Sequence, residues 1–122
     1  MSTTIVLDIN FEAAHFLPHT PAGHKCKHMH GHSYVCELHV TGKVDPTTGW
    51  VCDFADLRAA FAPLRAQLDH RVLNEVPGLD NPTSENIGRW IWERLAPSLP
   101  GLSAVVIRET TDSRCICTGP EA

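Results

Sequence analysis

The residues of this chain that could do chemistry concentrate in the segment Cys26–His32, which holds one thiol and three imidazoles, with His15 just upstream. His30 and His32 are two residues apart, so in a β-strand both side chains leave the same face. Two imidazoles on one face and a third from elsewhere make a three-nitrogen site. That is the usual protein share of a catalytic zinc centre, whose fourth position stays open for water or substrate.

His15, His30 and His32 therefore predict a zinc site. An apolar-facing histidine such as His15 is by itself more often a hydrogen-bonded core residue, and the strand phase of the other two is what favours the ligand interpretation. His39 falls on the opposite strand face and is a poor candidate. The remaining histidines of this region lie in or beside a loop and are interpreted as solvated; they are His19, His24 and His28.

Cys26 lies in that loop, four residues before His30, and is flanked by Lys25 and Lys27. Nearby positive charge, and a metal ion still more, favours the reactive thiolate. Three interpretations stay open from the residues alone: a catalytic thiol, an incidental free thiol, and a fourth ligand that closes a structural zinc site.

Asp69 and His70 are neighbours at the end of a predicted helix. A carboxylate beside a histidine can orient the ring and raise its basicity, although adjacent pairs of this kind are common by chance. Glu109 ends an apolar strand in phase with Val105 and Ile107, so we expect it to face inward. It is either a salt-bridge partner or a group that binds a planar, guanidine-like donor in a bidentate way.

The elements that must position these residues follow from the hydrophobic pattern. Period-two alternation predicts strands, and apolar residues at helical spacing predict helices that begin at the caps Asp53 and Thr83, the first containing Pro63. The predicted strands are residues 4–15, 30–43, 102–110 and 114–118, and the predicted helices are residues 54–67 and 84–96. The order β-β-α-α-β-β predicts an α+β domain, a four-stranded antiparallel sheet with two helices on one face.

Composition sets limits on function. A chain of 122 residues with 43% hydrophobic and 20% charged residues is expected to form one domain over residues 1–122. The formal charge of −4 argues against a nucleic-acid partner. No apolar stretch approaches the ~20 residues of a membrane helix. We see no signal-peptide pattern, and five scattered cysteines are expected to be reduced, so we expect a cytoplasmic location.

Six motifs in this order and at these separations resemble the 6-pyruvoyltetrahydropterin synthase family over roughly residues 3–119. The motifs are residues 11–15 (FEAAH), 26–32 (CKHMHGH), 51–54 (VCDF), 68–70 (LDH), 81–85 (NPTSE) and 109–110 (ET). The three residues between Cys26 and His30 are similar to the bacterial branch that makes 6-carboxytetrahydropterin, whereas the pyruvoyl enzymes typically carry a longer gap. Cys52 departs from the pattern, since relatives often carry an apolar residue there.

The resemblance implies a tunnelling fold, whose subunits assemble into rings, commonly hexamers, with sites between subunits. It implies a zinc-dependent lyase that converts 7,8-dihydroneopterin triphosphate to 6-carboxytetrahydropterin, acetaldehyde and triphosphate, on the route to queuosine and other deazapurines. By position, zinc would be held by His15, His30 and His32. The proton-transfer set would be Cys26, Asp69 and His70. The pterin would be bound by Glu109, with Thr83, Ser84 and Glu85 near its pocket.

Two alternatives remain at this point. One is a pyruvoyltetrahydropterin synthase, which eliminates triphosphate without losing acetaldehyde. The other is a non-catalytic zinc-binding domain, in which Cys26 is the fourth ligand and Glu109 forms a salt bridge. Thr83 also has a purely local explanation, since a threonine at this position caps a helix.

Overall fold

A computed structural model describes residues 1–121 of the 122, and the described part contains five strands and two α-helices. The strands are β1 (Thr3–His15), β2 (His30–Gly42), β3 (Arg71–Val72), β4 (Leu102–Arg108) and β5 (Cys115–Cys117), and the helices are α1 (Phe54–Leu68) and α2 (Ser84–Leu95). The strands form one sheet in the order β3-β1-β2-β4-β5. In residues 1–121, no helix has the length and apolar character that crossing a membrane requires.

The α+β class is confirmed, but the predicted four-stranded antiparallel sheet and the β-β-α-α-β-β order are wrong in detail. The sheet has five strands and is mixed, because β3 pairs in parallel with β1 at Ala13 and Ala14. The predicted helices, residues 54–67 and 84–96, leave residues 71–72 in the connection between them. A strand of two residues shows no alternation in its sequence, so its formation depends on the backbone groups that the edge of β1 offers it.

The two longest strands pair along their whole length. The antiparallel register of β1 and β2 runs from Thr3 opposite Gly42 to His15 opposite His30. Alternate residues of both strands are buried on one face, as the period-two pattern predicts. Phe11 of β1 and Tyr34 of β2 lie opposite each other on that face, with stacked rings 4.9 Å apart. The register therefore fixes which residues meet at the end of the pair.

Both helices pack on this face of the sheet. The Asp53 side chain accepts a hydrogen bond from the Ala55 backbone N–H and caps α1, which continues through Pro63. The buried stripe of α2 closes the core against β4 and β5. Its members are Ile87, Trp90, Ile91 and Leu95.

Leu57→Ala should test the core beneath α1. Leu57 is fully buried, whereas Phe54 of the same helix is 42% exposed. Removing buried methyl groups loses transfer free energy and leaves a cavity, so we expect the free energy of unfolding to fall by about 2–5 kcal/mol. Urea unfolding followed by circular dichroism measures it. Phe54→Ala is the matched control and should cost less than about 1 kcal/mol; equal losses in the two variants would contradict this account of the core.

Candidate active site

Three imidazoles meet at the end of the β1–β2 pair. His15 and His30 are cross-strand partners, and His32 lies one pleat further along β2 on the same face. The ring centroids are 4.5 Å apart for His15 and His30, 5.1 Å for His15 and His32, and 4.9 Å for His30 and His32. One ring nitrogen from each residue lies within 4.8 Å of the others, so the trio could hold a metal ion.

Main-chain carbonyls orient two of the rings. Nδ1 of His15 lies 2.8 Å from the carbonyl oxygen of Pro82, and Nδ1 of His30 lies 2.7 Å from that of His28. A carbonyl oxygen only accepts hydrogen bonds, so both Nδ1 atoms carry the proton and donate. Each ring therefore keeps its lone pair on Nε2, the atom left to bind a metal. Metal-binding histidines commonly donate their other ring N–H to a backbone carbonyl in this way.

The trio contains polar atoms that the protein leaves without a partner. Nε2 of His15 and Nε2 of His32 are buried, and within residues 1–121 neither has a hydrogen-bond partner. A buried nitrogen without a partner costs free energy, and such an atom in a folded protein requires an explanation. A metal ion at this point would satisfy both atoms, so the donor set fits a metal.

Burial also sets the protonation state of the two enclosed rings. Desolvation lowers the pKa of His15, while its hydrogen bond to Pro82 and the charge of Glu109 act in the opposite sense. Desolvation likewise lowers the pKa of His32. The neutral imidazole is the form that binds a metal, so the burial of these rings favours the ligand state.

Glu109 faces the trio, as its strand phase predicts. Its Oε1 lies 3.9 Å from Nε2 of His15, its Oε2 lies 3.9 Å from Nε2 of His32, and its side chain is 27% exposed. The carboxylate is thus beside the two nitrogens that have no hydrogen-bond partner and is still accessible to solvent. It can accept hydrogen bonds from a ligand that approaches the trio.

Ser84 and Glu85 lie close to Glu109, and together they line a cleft of about 310 Å³. The hydroxyl of Thr83 does something else: it accepts a hydrogen bond from the Asn86 backbone N–H and caps α2. Two of the three residues predicted near the pterin pocket therefore share a cleft with Glu109. The observed contact of the third is the local helix cap.

Asp69 and His70 form a hydrogen-bonded pair. Asp69 Oδ2 accepts from His70 Nδ1 at 2.9 Å, and Asp69 Oδ1 accepts from the Glu12 backbone N–H at 2.9 Å. The backbone N–H of His70 in turn donates to the Glu12 carbonyl oxygen. The Glu12 N–H lowers the pKa of Asp69 most, followed by the hydrogen bond from His70, with Arg65 adding a smaller effect.

His70 has an unusual backbone. Among residues 1–121 it is the one non-glycine residue with a positive φ, at 58°, a conformation that histidine tolerates better than most residues. Its ring is 78% exposed. With Nδ1–H bonded to Asp69, the lone pair lies on Nε2 of this mostly exposed ring. His70 can therefore take a proton from a group that is not one of its hydrogen-bond partners in this chain.

Cys26 is a free, half-buried thiol in a short 3₁₀ turn. Its backbone N–H donates to Nδ1 of His24 at 3.0 Å, and its carbonyl oxygen accepts from the Leu17 backbone N–H at 2.7 Å. Within residues 1–121, no hydrogen bond or ion pair joins Cys26 to Asp69 or His70. Of the three predicted proton-transfer residues, Asp69 and His70 are therefore bonded to each other, and Cys26 is not bonded to either.

Sequence reasoning missed three groups that shape the site. The hydroxyl of Tyr34 lies 3.2 Å from Nδ1 of His15. Tyr34 falls in phase with His30 and His32 on β2, and this phase is a signal that could have placed it beside the trio. Pro82 and Glu12 act through main-chain atoms, which every residue possesses, so their identity gives no signal.

The two longest strands bring three imidazoles together beside a solvent-accessible carboxylate. The chain is thus a small α+β protein with a candidate metal site. A family model described as 6-pyruvoyl tetrahydropterin synthase matches residues 4–120. This chain belongs to the 6-pyruvoyl tetrahydropterin synthase family.

Individual relatives agree with the family match. The chain is 42% identical over 115 residues to the 6-carboxy-5,6,7,8-tetrahydropterin synthase of Synechocystis sp., covering 89% of this chain and 88% of that protein. It is 37% identical over 101 residues to the dihydroneopterin monophosphate aldolase of Pyrococcus furiosus, covering 83% and 82%. The solved structure of Caenorhabditis elegans 6-pyruvoyl tetrahydropterin synthase matches with a TM-score of 0.87 at 29% identity, covering 98% of this chain and 97% of that one.

His32→Ala should abolish metal binding. The variant removes one of three nitrogens, and two imidazoles do not hold a divalent ion against dialysis as three do. Metal analysis by plasma mass spectrometry, after loading with zinc and dialysis, should give about one ion per chain for the native protein and almost none for the variant. His39→Ala is the control, because His39 bonds Glu37 at 2.8 Å and takes no part in the trio. A His32→Ala protein with a full complement of metal would rule this residue out as a ligand.

Proposed function

We propose that this chain is a zinc-dependent carbon–carbon lyase that converts 7,8-dihydroneopterin triphosphate to 6-carboxy-5,6,7,8-tetrahydropterin, acetaldehyde and triphosphate. The observation that carries the proposal is the histidine trio, with two buried Nε2 atoms left free beside Glu109. Membership of the pterin synthase family and the 42% identity to the Synechocystis synthase support the reaction.

Zinc is the metal we propose for His15, His30 and His32. Three neutral imidazoles with an open fourth position are the donor set typical of catalytic zinc. The chemistry that the ion supplies when bound is Lewis-acid polarisation of the oxygens on the substrate side chain.

The residues around the trio have separate tasks. Glu109 accepts hydrogen bonds from the amino-pyrimidinone edge of the pterin, a planar donor pair that suits a carboxylate. Asp69 holds the proton of His70 on Nδ1, so Nε2 is free to take a proton from the substrate side chain. The thiol of Cys26 transfers a proton on the opposite side of the substrate side chain.

Assembly completes the site in this proposal. No hydrogen bond or ion pair joins Cys26 to His70 within residues 1–121, and the His70 ring is 78% exposed. A ring of subunits, as a homohexamer, would bring His70 of one copy to Cys26 of the next. We also propose a cytoplasmic location and a product that enters queuosine or deazapurine synthesis.

The direct test is incubation of the zinc-loaded protein with dihydroneopterin triphosphate and mass analysis of all products. We expect 6-carboxytetrahydropterin, triphosphate and one acetaldehyde for each pterin consumed, with the aldehyde trapped as its hydrazone. Triphosphate without trapped aldehyde would instead indicate pyruvoyl-type elimination. Dihydroneopterin monophosphate serves as the comparison substrate, since its turnover in place of the triphosphate would favour an activity like that named for the Pyrococcus relative.

Cys26→Ala should separate chemistry from metal binding. General acid–base groups typically contribute 10²–10⁴-fold, so we expect turnover to fall by roughly that factor. Zinc content and thermal unfolding should stay unchanged, because Cys26 lies on a surface turn and is not part of the trio. Cys52→Ala is the control for loss of a half-buried thiol. Undiminished turnover would remove Cys26 from the mechanism, and loss of zinc would favour a closed structural site.

A further inference from the structure

A second cysteine, Cys115, lies in the cleft that contains Glu109. Cys115 is on β5, opposite Ile107 of β4. Cys117, two residues on and so on the same face, lies against α2: a Cβ placed on Gly88 would be 3.4 Å from the Cβ of Cys117. Ile116 between them is 62% exposed on the other face. The Cys115 side chain is therefore on the helix side of the sheet, the side that carries the histidine trio.

Cys115 lines the same cleft as the proposed pterin-binding carboxylate. The cleft of about 310 Å³ has walls from the first turn of α2, from the end of β4 and from the start of β5. Its lining includes Ser84, Glu85, Ile107, Glu109 and Cys115. This volume is at the lower end of the range for small-molecule sites, so one extra group on a wall would change what fits.

The thiol is an uncharged group in a cleft that is lined by the carboxylates of Glu85 and Glu109 and by the guanidinium of Arg114. Burial raises the pKa of Cys115, and the charges of Glu85, Cys117 and Glu109 raise it further. Cys115 thus remains a neutral thiol at neutral pH and does not add a third negative charge beside the two carboxylates. Neutral sulfur is polarisable and packs well against aromatic rings.

We propose that Cys115 is a specificity-determining residue of this cleft: its thiol forms the wall against which the pterin ring lies, and its small size leaves the ring its space. The inference rests on the proposed function, because it takes a pterin as the ligand that Glu109 binds. Cys115 has no part in the proton transfers, which belong to Cys26 and the Asp69–His70 pair.

Substitution of Cys115 tests whether its side chain limits the space for the pterin ring. We would measure binding of neopterin to the zinc-loaded protein through the change in its fluorescence. Cys115→Leu should weaken binding by about tenfold or more, since a hydrophobic pocket discriminates roughly 10- to 200-fold against one misplaced group. Cys115→Ser should stay within about threefold of the native value. Zinc content should not change in either variant, and Cys52→Leu, outside the cleft, is the matched control.

Labelling of the native protein provides a second measurement that needs no variant to fold. Iodoacetamide modification is followed at each cysteine by peptide mass analysis, with and without neopterin. At a neopterin concentration ten times its Kd, alkylation of Cys115 should slow by about tenfold, while Cys52 reacts at the same rate. Equal rates at Cys115, or native affinity in Cys115→Leu, would overturn the inference alone. A native protein that binds no neopterin would contradict the proposed function itself.

Discussion

The antiparallel register between β1 and β2 is the constraint on which the site depends. It places His15 opposite His30 at the end of a thirteen-residue ladder, with His32 on the same face. Side chains alternate with a period of two, so a slip of one residue would turn every inward residue of one strand outward. The same hydrophobic contacts that hold Phe11 against Tyr34 therefore keep the three imidazoles together.

Stability and function oppose each other at this end of the sheet. A well-packed core would place apolar groups where His15 and His32 lie, and burial of their free Nε2 atoms costs free energy. His70 adds a left-handed backbone that most side chains disfavour. Costs of this kind are typical of functional sites, and the long β1–β2 ladder and the two helices packed on it offset them.

Much of this arrangement could be predicted from the residues. The phase of His30 and His32 indicated a shared face, and that of Glu109 indicated an inward carboxylate, because both depend only on the period of a strand. The parallel strand β3 could not be predicted, since Arg71 and Val72 are ordered by the edge of β1 and not by their own pattern. The main-chain support of Asp69 by Glu12 likewise has no signature in side-chain type.

Glu12 and His15 are three residues apart on β1, and this spacing has a consequence for how the chain can vary. One end of the interval anchors the Asp69–His70 pair through main-chain bonds, and the other end contributes an imidazole to the trio. Insertion of a single residue between them would rotate one group to the far side of the sheet while leaving the other in place. The number of residues between Glu12 and His15 is therefore more tightly constrained than the identity of the side chains between them.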